Sequence, residues 1–88
     1  MQQIIVTREL KALANQRRLT IIKELNRGGP LSVSEIARRL KLSVRSTSKH
    51  VQKLAHTDLV EQFQISREVF CRVNESHPLL QKVISEII

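Results

Sequence analysis

Aromatic side chains are almost missing from this chain: Phe63 and Phe70 are the only two, with no tryptophan or tyrosine. Surfaces that hold RNA or single-stranded nucleic acid stack bases on exposed rings, so a platform of that kind is not expected. Cysteine is nearly missing too. Cys71 stands alone, which excludes a disulfide within the chain and fits a reducing cytosol better than an oxidising compartment. No apolar run exceeds three residues, far too short to span a membrane. The N-terminus lacks a basic stretch leading into a long apolar segment, so no secretory signal is expected and the location is read as cytoplasmic. Acids are scarce as well, eight against fifteen Lys and Arg, for a formal net charge of +7. Eighty-eight residues make one domain whose core is marginal without a disulfide, a metal or a second copy. A second copy is the expected help.

What is present is concentrated charge. From Arg38 to Lys53 the chain carries Arg38, Arg39, Lys41, Arg45, Lys49 and Lys53 without an acid, and the acid-free stretch extends from Ile36 to Thr57. A helix whose charges merely keep it solvated tends to pair opposite charges three or four residues apart. Their absence here favours an anionic partner, and the shortage of stacking rings favours duplex DNA.

Periodicity supplies the elements. Val6, Leu10, Leu13 and Ala14 predict a first helix over about 5–14. Asn15 predicts an N-cap for a second helix to Asn26 with Leu19, Ile21, Ile22 and Leu25 inward, ended by Gly28-Gly29-Pro30. Ser32 and Glu35 form a Ser-x-x-Glu capping box for a third helix burying Ile36, Ala37 and Leu40. Lys41-Leu42 is a turn, and Ser43 caps a fourth helix over 44–56 with Thr47, Val51, Leu54 and Ala55 inward. Residues 59–64 and 68–73 read as antiparallel strands around Ile65-Ser66-Arg67. Ser76-His77-Pro78 opens a last helix. The fold class is mostly α with a β-hairpin, in the order α-α-α-α-β-β-α: a winged helix-turn-helix.

The residues also resemble a family, the ArsR/SmtB-type transcriptional repressors of bacteria and archaea. The family's opening Leu-Lys-Ala-Leu stretch is present as Leu10-Lys11-Ala12-Leu13-Ala14, and the helix that follows it as Arg18-Leu19-Thr20-Ile21-Ile22. The recognition region, roughly Leu-Ser-x-x-Thr-Val-Ser-x-His-Leu-x-x-Leu in the family, is matched by Leu42 to Leu54, including Ser43, Ser48 and His50. Asp58-Leu59-Val60 follows where the family has Gly-Leu-Val. The resemblance implies a homodimer joined by the first and last helices. Val6, Leu10, Leu80, Val83, Ile84, Ile87 and Ile88 are the interface residues it points to. Founding metal sensors carry Cys-Val-Cys where this chain has Ser32-Val33-Ser34, and a serine hydroxyl replaces thiolate poorly. His77 and Glu86 are too far apart on one helix to chelate an ion together, so no metal and no cofactor are expected.

In a helix-turn-helix the N-terminal part of the second helix meets base edges in the major groove. Val44, Arg45, Ser46, Ser48 and Lys49 are therefore the base-contact candidates. Ser43, Arg38, Arg39 and Lys53 are placed for phosphates, and Arg67, in a wing over about 64–68, for the minor-groove side. His50 is open to two readings, a packed histidine or a phosphate contact. Cys71 is read as a small buried hydrophobe. No phosphate loop, nucleophile motif or paired acids beside a histidine point to an enzyme. The expected function is sequence-specific double-stranded DNA binding by a homodimeric regulator. Two alternatives stay open: a winged-helix module that binds an acidic protein, and a metal- or thiol-responsive member of the family whose effector the sequence does not name.

Overall fold

The computed structural model describes the backbone of residues 2–86 and the side chains of residues 7–86. Helix α1 (Gln2–Leu13) stops where the chain bends into Asn15, whose extended backbone and side-chain oxygen start α2 (Gln16–Gly28). Asn15 Oδ1 accepts from the N–H groups of Arg17 and Arg18 at 3.0 and 3.1 Å, satisfying donors that a helix start leaves open. Gly29 closes α2 at φ 77°, a left-handed value that glycine tolerates, and its N–H reaches Leu25 O at 2.9 Å. A two-residue strand β1 (Leu31–Ser32) follows, then α3 (Val33–Leu40) and α4 (Val44–His56). The hairpin β2 (Val60–Ile65) and β3 (Glu68–Val73) precedes α5 (Pro78–Glu86).

The sequence reading has no counterpart for β1. It pairs antiparallel with β3, Leu31 opposite Cys71 and Ser32 opposite Phe70, giving a three-stranded sheet in the order β1-β3-β2. The hairpin is therefore hydrogen-bonded to the residue that caps α3. Its turn is also tighter than expected: Ile65 pairs with Glu68, and Ser66 takes φ 56°.

The core gathers Ile21, Ile22 and Leu25 of α2, Ile36 of α3, and Val51 and Leu54 of α4 against Leu59, Val60 and Cys71. Leu80 and Val83 of α5 complete it. These two were expected at a dimer interface, but they are buried within this one chain. Their positions three residues apart on α5 place them on the face turned to the chain's own core. On α1 the expected stripe is rotated. Ala12 and Leu13 are buried, Ala14 is exposed, and Leu10 is 50% exposed. The side chains of Val6, Ile87 and Ile88 lie outside the described residues.

Two charged residues occupy positions on these inner stripes. Arg18 shares the face of Ile21, Ile22 and Leu25, and is only 8% exposed. Its Nε donates to Ala12 O, its Nη2 to Lys11 O at 3.3 Å, and its Nη1 lies 3.2 Å from His50 Nδ1. The guanidinium thus takes up carbonyls at the end of α1, where the helix dipole is negative, and joins that end to α4. Because a guanidinium only donates, His50 Nδ1 is the acceptor and the neutral ring carries its proton on Nε2. Glu9, on the face of Ala12 and Leu13, is buried against His77, which precedes α5. His77 Nδ1 in turn accepts the N–H of Leu79 at 3.2 Å, acting as a cap for α5.

Burial holds the His50 pKa below the ordinary histidine value, and the positive charges of Arg18, Arg17 and Lys53 lower it further. A depressed folded-state pKa means that the unfolded chain takes up this proton first. The contribution of His50 is fully present above about pH 6.5 and is lost as the pH falls toward the lower folded value. In His50→Asn the amide oxygen replaces Nδ1 as acceptor but does not titrate. Urea unfolding from pH 8 to pH 5 should show wild type losing more stability than this variant, and parallel curves would contradict the assignment. Cys71 is fully buried, and burial pushes its thiol up to about 12. At pH 8 Ellman's reagent should therefore label Cys71 orders of magnitude more slowly in native protein than in urea-unfolded chain, because the thiolate is the reactive form.

Candidate nucleic-acid interface

Helices α3 and α4 meet at a tight connection built by three local devices. Ser32 Oγ accepts the N–H of Glu35 at 3.0 Å, starting α3. Lys41 ends α3 in the left-handed region at φ 58°, and the Leu42 N–H closes back on Ala37 O at 2.9 Å. Ser43 Oγ accepts the N–H of Ser46 at 3.0 Å, starting α4. Thr47, Val51 and Leu54 then fix the inner face of α4, all fully buried, with the Thr47 hydroxyl donating to Ser43 O at 2.9 Å. The opposite face is left to solvent. Val44 is 52% exposed, Arg45, Lys49, Gln52 and Lys53 are exposed, and Ser46 and Ser48 are half-buried beside them. Ser43 is exposed, and its O–H remains free of the capping bond, in which the oxygen only accepts.

The charge expected to be unpaired on α3 is paired. Arg38 grips the Glu35 carboxylate through Nε at 3.1 Å and through Nη2. Arg39 reaches Glu35 at 3.0 Å and Glu24 of α2 at 3.1 Å. These hydrogen bonds hold the Glu35 carboxyl below its usual range and raise the guanidinium of Arg39. One acid, Glu35, adjoins the acid-free stretch on the same helix, and the other, Glu24, comes from α2. The same pairing leaves the capping box half formed, since the Glu35 carboxylate turns to the arginines. Two cations balanced by two carboxylates add little net field. On α4, by contrast, Arg45, Lys49 and Lys53 enter no ion pair among the described residues.

His50 is half-buried and turned toward Arg18, which is the packed-histidine arrangement. Its Nδ1 edge is engaged inside the protein, which leaves only the Nε2 edge for the phosphate contact that was the other reading. Arg67 is exposed at the hairpin tip between Ser66 and Glu68, with Ile65 54% exposed beside it. The hairpin is stiffened below the tip by Phe63 stacked on Phe70 at 5.8 Å between ring centroids, with Arg72 over Phe63 and paired to Glu61 at 3.1 Å. On the far side, Leu10 and the half-buried Ile84 are the described members of the expected dimer surface that keep contact with solvent. Arg18 and Glu9 were missed as structural residues. The signal was visible, because each sits at i, i+3, i+4 spacing with apolar residues, yet the partner of each is remote in sequence. Among the described residues no three His, Cys, Asp or Glu side chains gather as metal ligands.

A family model described as a helix-turn-helix domain matches residues 13–62, from the end of α1 into β2. Among solved structures, HlyU from Vibrio cholerae N16961 is 32% identical over 96% of this chain and 88% of its own, with a TM-score of 0.83. PagR of Bacillus anthracis, a transcriptional repressor, is 25% identical over 100% of this chain and 98% of its own, with a TM-score of 0.84. The homodimeric winged helix-turn-helix DNA-binding domain of Mb0332 from Mycobacterium bovis, a possible ArsR-family regulator, is 27% identical over 96% of this chain and 75% of that one, with a TM-score of 0.83. No curated protein matches the chain in the sequence comparison. The matched segment contains α2 and the capped α3–α4 unit, and the structural likeness extends over 96–100% of the chain. The chain therefore belongs to the ArsR/SmtB-type family of winged helix-turn-helix transcriptional regulators.

Proposed function

We propose that the chain acts as a homodimeric transcriptional repressor that binds a two-fold-related site in duplex DNA. α4 enters the major groove, and the hairpin tip lies beside the minor groove. The observation that carries this reading is the outer face of α4, where Arg45, Lys49 and Lys53 project with no ion pair among the described residues, from a helix whose inner face is locked. Val44, Arg45, Ser46, Ser48 and Lys49, in the first half of α4, face base edges. Ser43 and Lys53 hold phosphates, and Arg67 approaches the backbone from the wing. Arg38 remains a phosphate contact through its exposed side chain, while Arg39 braces α3 on α2 through Glu24. One domain carries the whole activity, with no catalytic chemistry and no metal in the reading. As a regulator of the prokaryotic type, it would meet its DNA in the cytoplasm. No described helix is long and apolar enough to cross a membrane.

Two copies related by a two-fold axis set their α4 helices about one turn of DNA apart, roughly 34–36 Å. Duplexes selected from a random pool should then be near-palindromic, and binding should weaken steeply with salt through counterion release. A partner that is an acidic protein would show a weaker, non-power-law salt dependence and no palindromic preference. Arg45→Ala should cost about 1–3 kcal/mol per half-site and relax preference at one base pair, with non-specific binding nearly unchanged. Titration of selected and scrambled duplexes measures both effects, and equal affinity for the selected site would remove Arg45 as a reader.

The dimer surface narrows to the exposed flank of α1 and α5. Leu10→Asp with Ile84→Asp should convert a dimer to monomers by sedimentation equilibrium at micromolar concentration, because each charge would be desolvated at the contact. Neither side chain is fully buried in the monomer, so the variant should still unfold cooperatively. A variant that stays dimeric would place the contact elsewhere.

A further inference from the structure

Beside the recognition face, a groove runs between α1 and the second half of α4. Arg8 and Lys11 line it from α1, and Lys49 and Lys53 from α4, with no acid among its lining residues. Lys49 and Lys53 are four apart, and Arg8 and Lys11 three apart, so each pair projects from one side of its helix. All four are exposed, and none enters an ion pair among the described residues. Two acids lie nearby without lining the groove. Glu9 is buried on His77, and Asp58 lies in an adjoining hollow shared with Arg8 and His56. Arg18, at the groove's floor, is engaged with α1 carbonyls and His50.

Helix geometry says what such a groove would meet. Lys53 follows Arg45 by eight positions, about 12 Å along the helix axis, and the major groove is about 12 Å wide. A helix that brings Arg45 to base edges therefore carries Lys53 out to the phosphate ridge, and the Arg8–Lys11 side of α1 lies next to it there. We propose, resting on the DNA-binding reading above, that this groove is a docking site for the duplex backbone. In it Arg8 and Lys11 extend the phosphate contact of Lys53 beyond the recognition helix. Helix α1 then has two duties, one flank toward the second copy through Leu10 and the other toward DNA. It is joined to the recognition helix through Arg18 and His50. Contacts of this kind add affinity and position without reading sequence.

The test compares wild type with Arg8→Gln/Lys11→Gln and with the charge-keeping Arg8→Lys/Lys11→Arg, on a selected duplex and a scrambled one, across a salt series. Loss of two phosphate contacts should make the slope of log affinity against log salt shallower by about two units, near 0.9 for each contact. Both duplexes should weaken by the same factor, base preference should stay as in wild type, and the charge-keeping variant should restore the slope. Thermal unfolding and sedimentation should match wild type. An unchanged slope in the glutamine variant, with wild type steep, would overturn the α1 contact and leave α4 recognition standing. A loss that follows a shift to monomer in sedimentation would overturn it as well. Wild type without salt-sensitive duplex binding would sink the DNA reading and this contact with it.

Discussion

Arg18 places a permanent charge, 8% exposed, between three helices, and the rest of the domain is arranged so that this is tolerable. A guanidinium removed from water destabilises strongly unless its donors are met. Here they are met by the carbonyls of Lys11 and Ala12 at the negative end of α1, and by a neutral His50 on α4. The same bonds supply what α1 lacks, since its last carbonyls have no partners within the helix. One side chain thus sets the end of α1, the start of α2 and the rotation of α4 together. Glu9 and His77 make a second joint of this type, between α1 and the entry to α5. The helices proposed for the dimer surface are fixed to the helix proposed for recognition by polar bonds inside the protein. Those bonds have direction, which packing of aliphatic side chains alone does not impose.

Charge is distributed by the same logic. Arg38 and Arg39 stiffen α3 by sharing Glu35 and by tying it to α2 through Glu24. Exposed pairs of this sort contribute little stability, but they cancel the field of α3 locally. Positive charge outside any ion pair among the described residues remains on α2 at Arg17, Lys23 and Arg27, and it also remains on α4 and the α1 flank next to it. Within a Debye length of about 8–10 Å, a phosphate backbone near this domain is attracted to that side.

The hairpin acquires its position from β1. Two residues are too few to make a stable strand by themselves. Yet the pairing of Leu31 with Cys71 and Ser32 with Phe70 fastens β3 to the capping residue of α3. With Phe63 stacked on Phe70, the wing is held against the helix-turn-helix, and its tip, Ser66 and Arg67, is presented at a fixed place.

Much of this was legible in the sequence, because much of it is local. Asn15, Ser32 and Ser43 cap the helices they precede, and Thr47, Val51 and Leu54 show the inner side of α4 by spacing alone. The hairpin followed from alternation, and the absence of thiolates at Ser32 and Ser34 from the residues themselves. Contacts between distant segments were not legible. Strand β1 has no periodicity to read, and exists because β3 comes alongside it. Glu24 meets Arg39 from another helix, so an acid-free stretch did not mean unpaired charge. Leu80 and Val83 went into the core and Ile84 to its partly buried edge, a division that depends on where α5 docks. Arg18 and Glu9 could be placed on apolar stripes from spacing. Only the folded chain could decide that His50 and His77 wait there to receive them, because a buried charge is determined by the partner that tertiary structure brings to it.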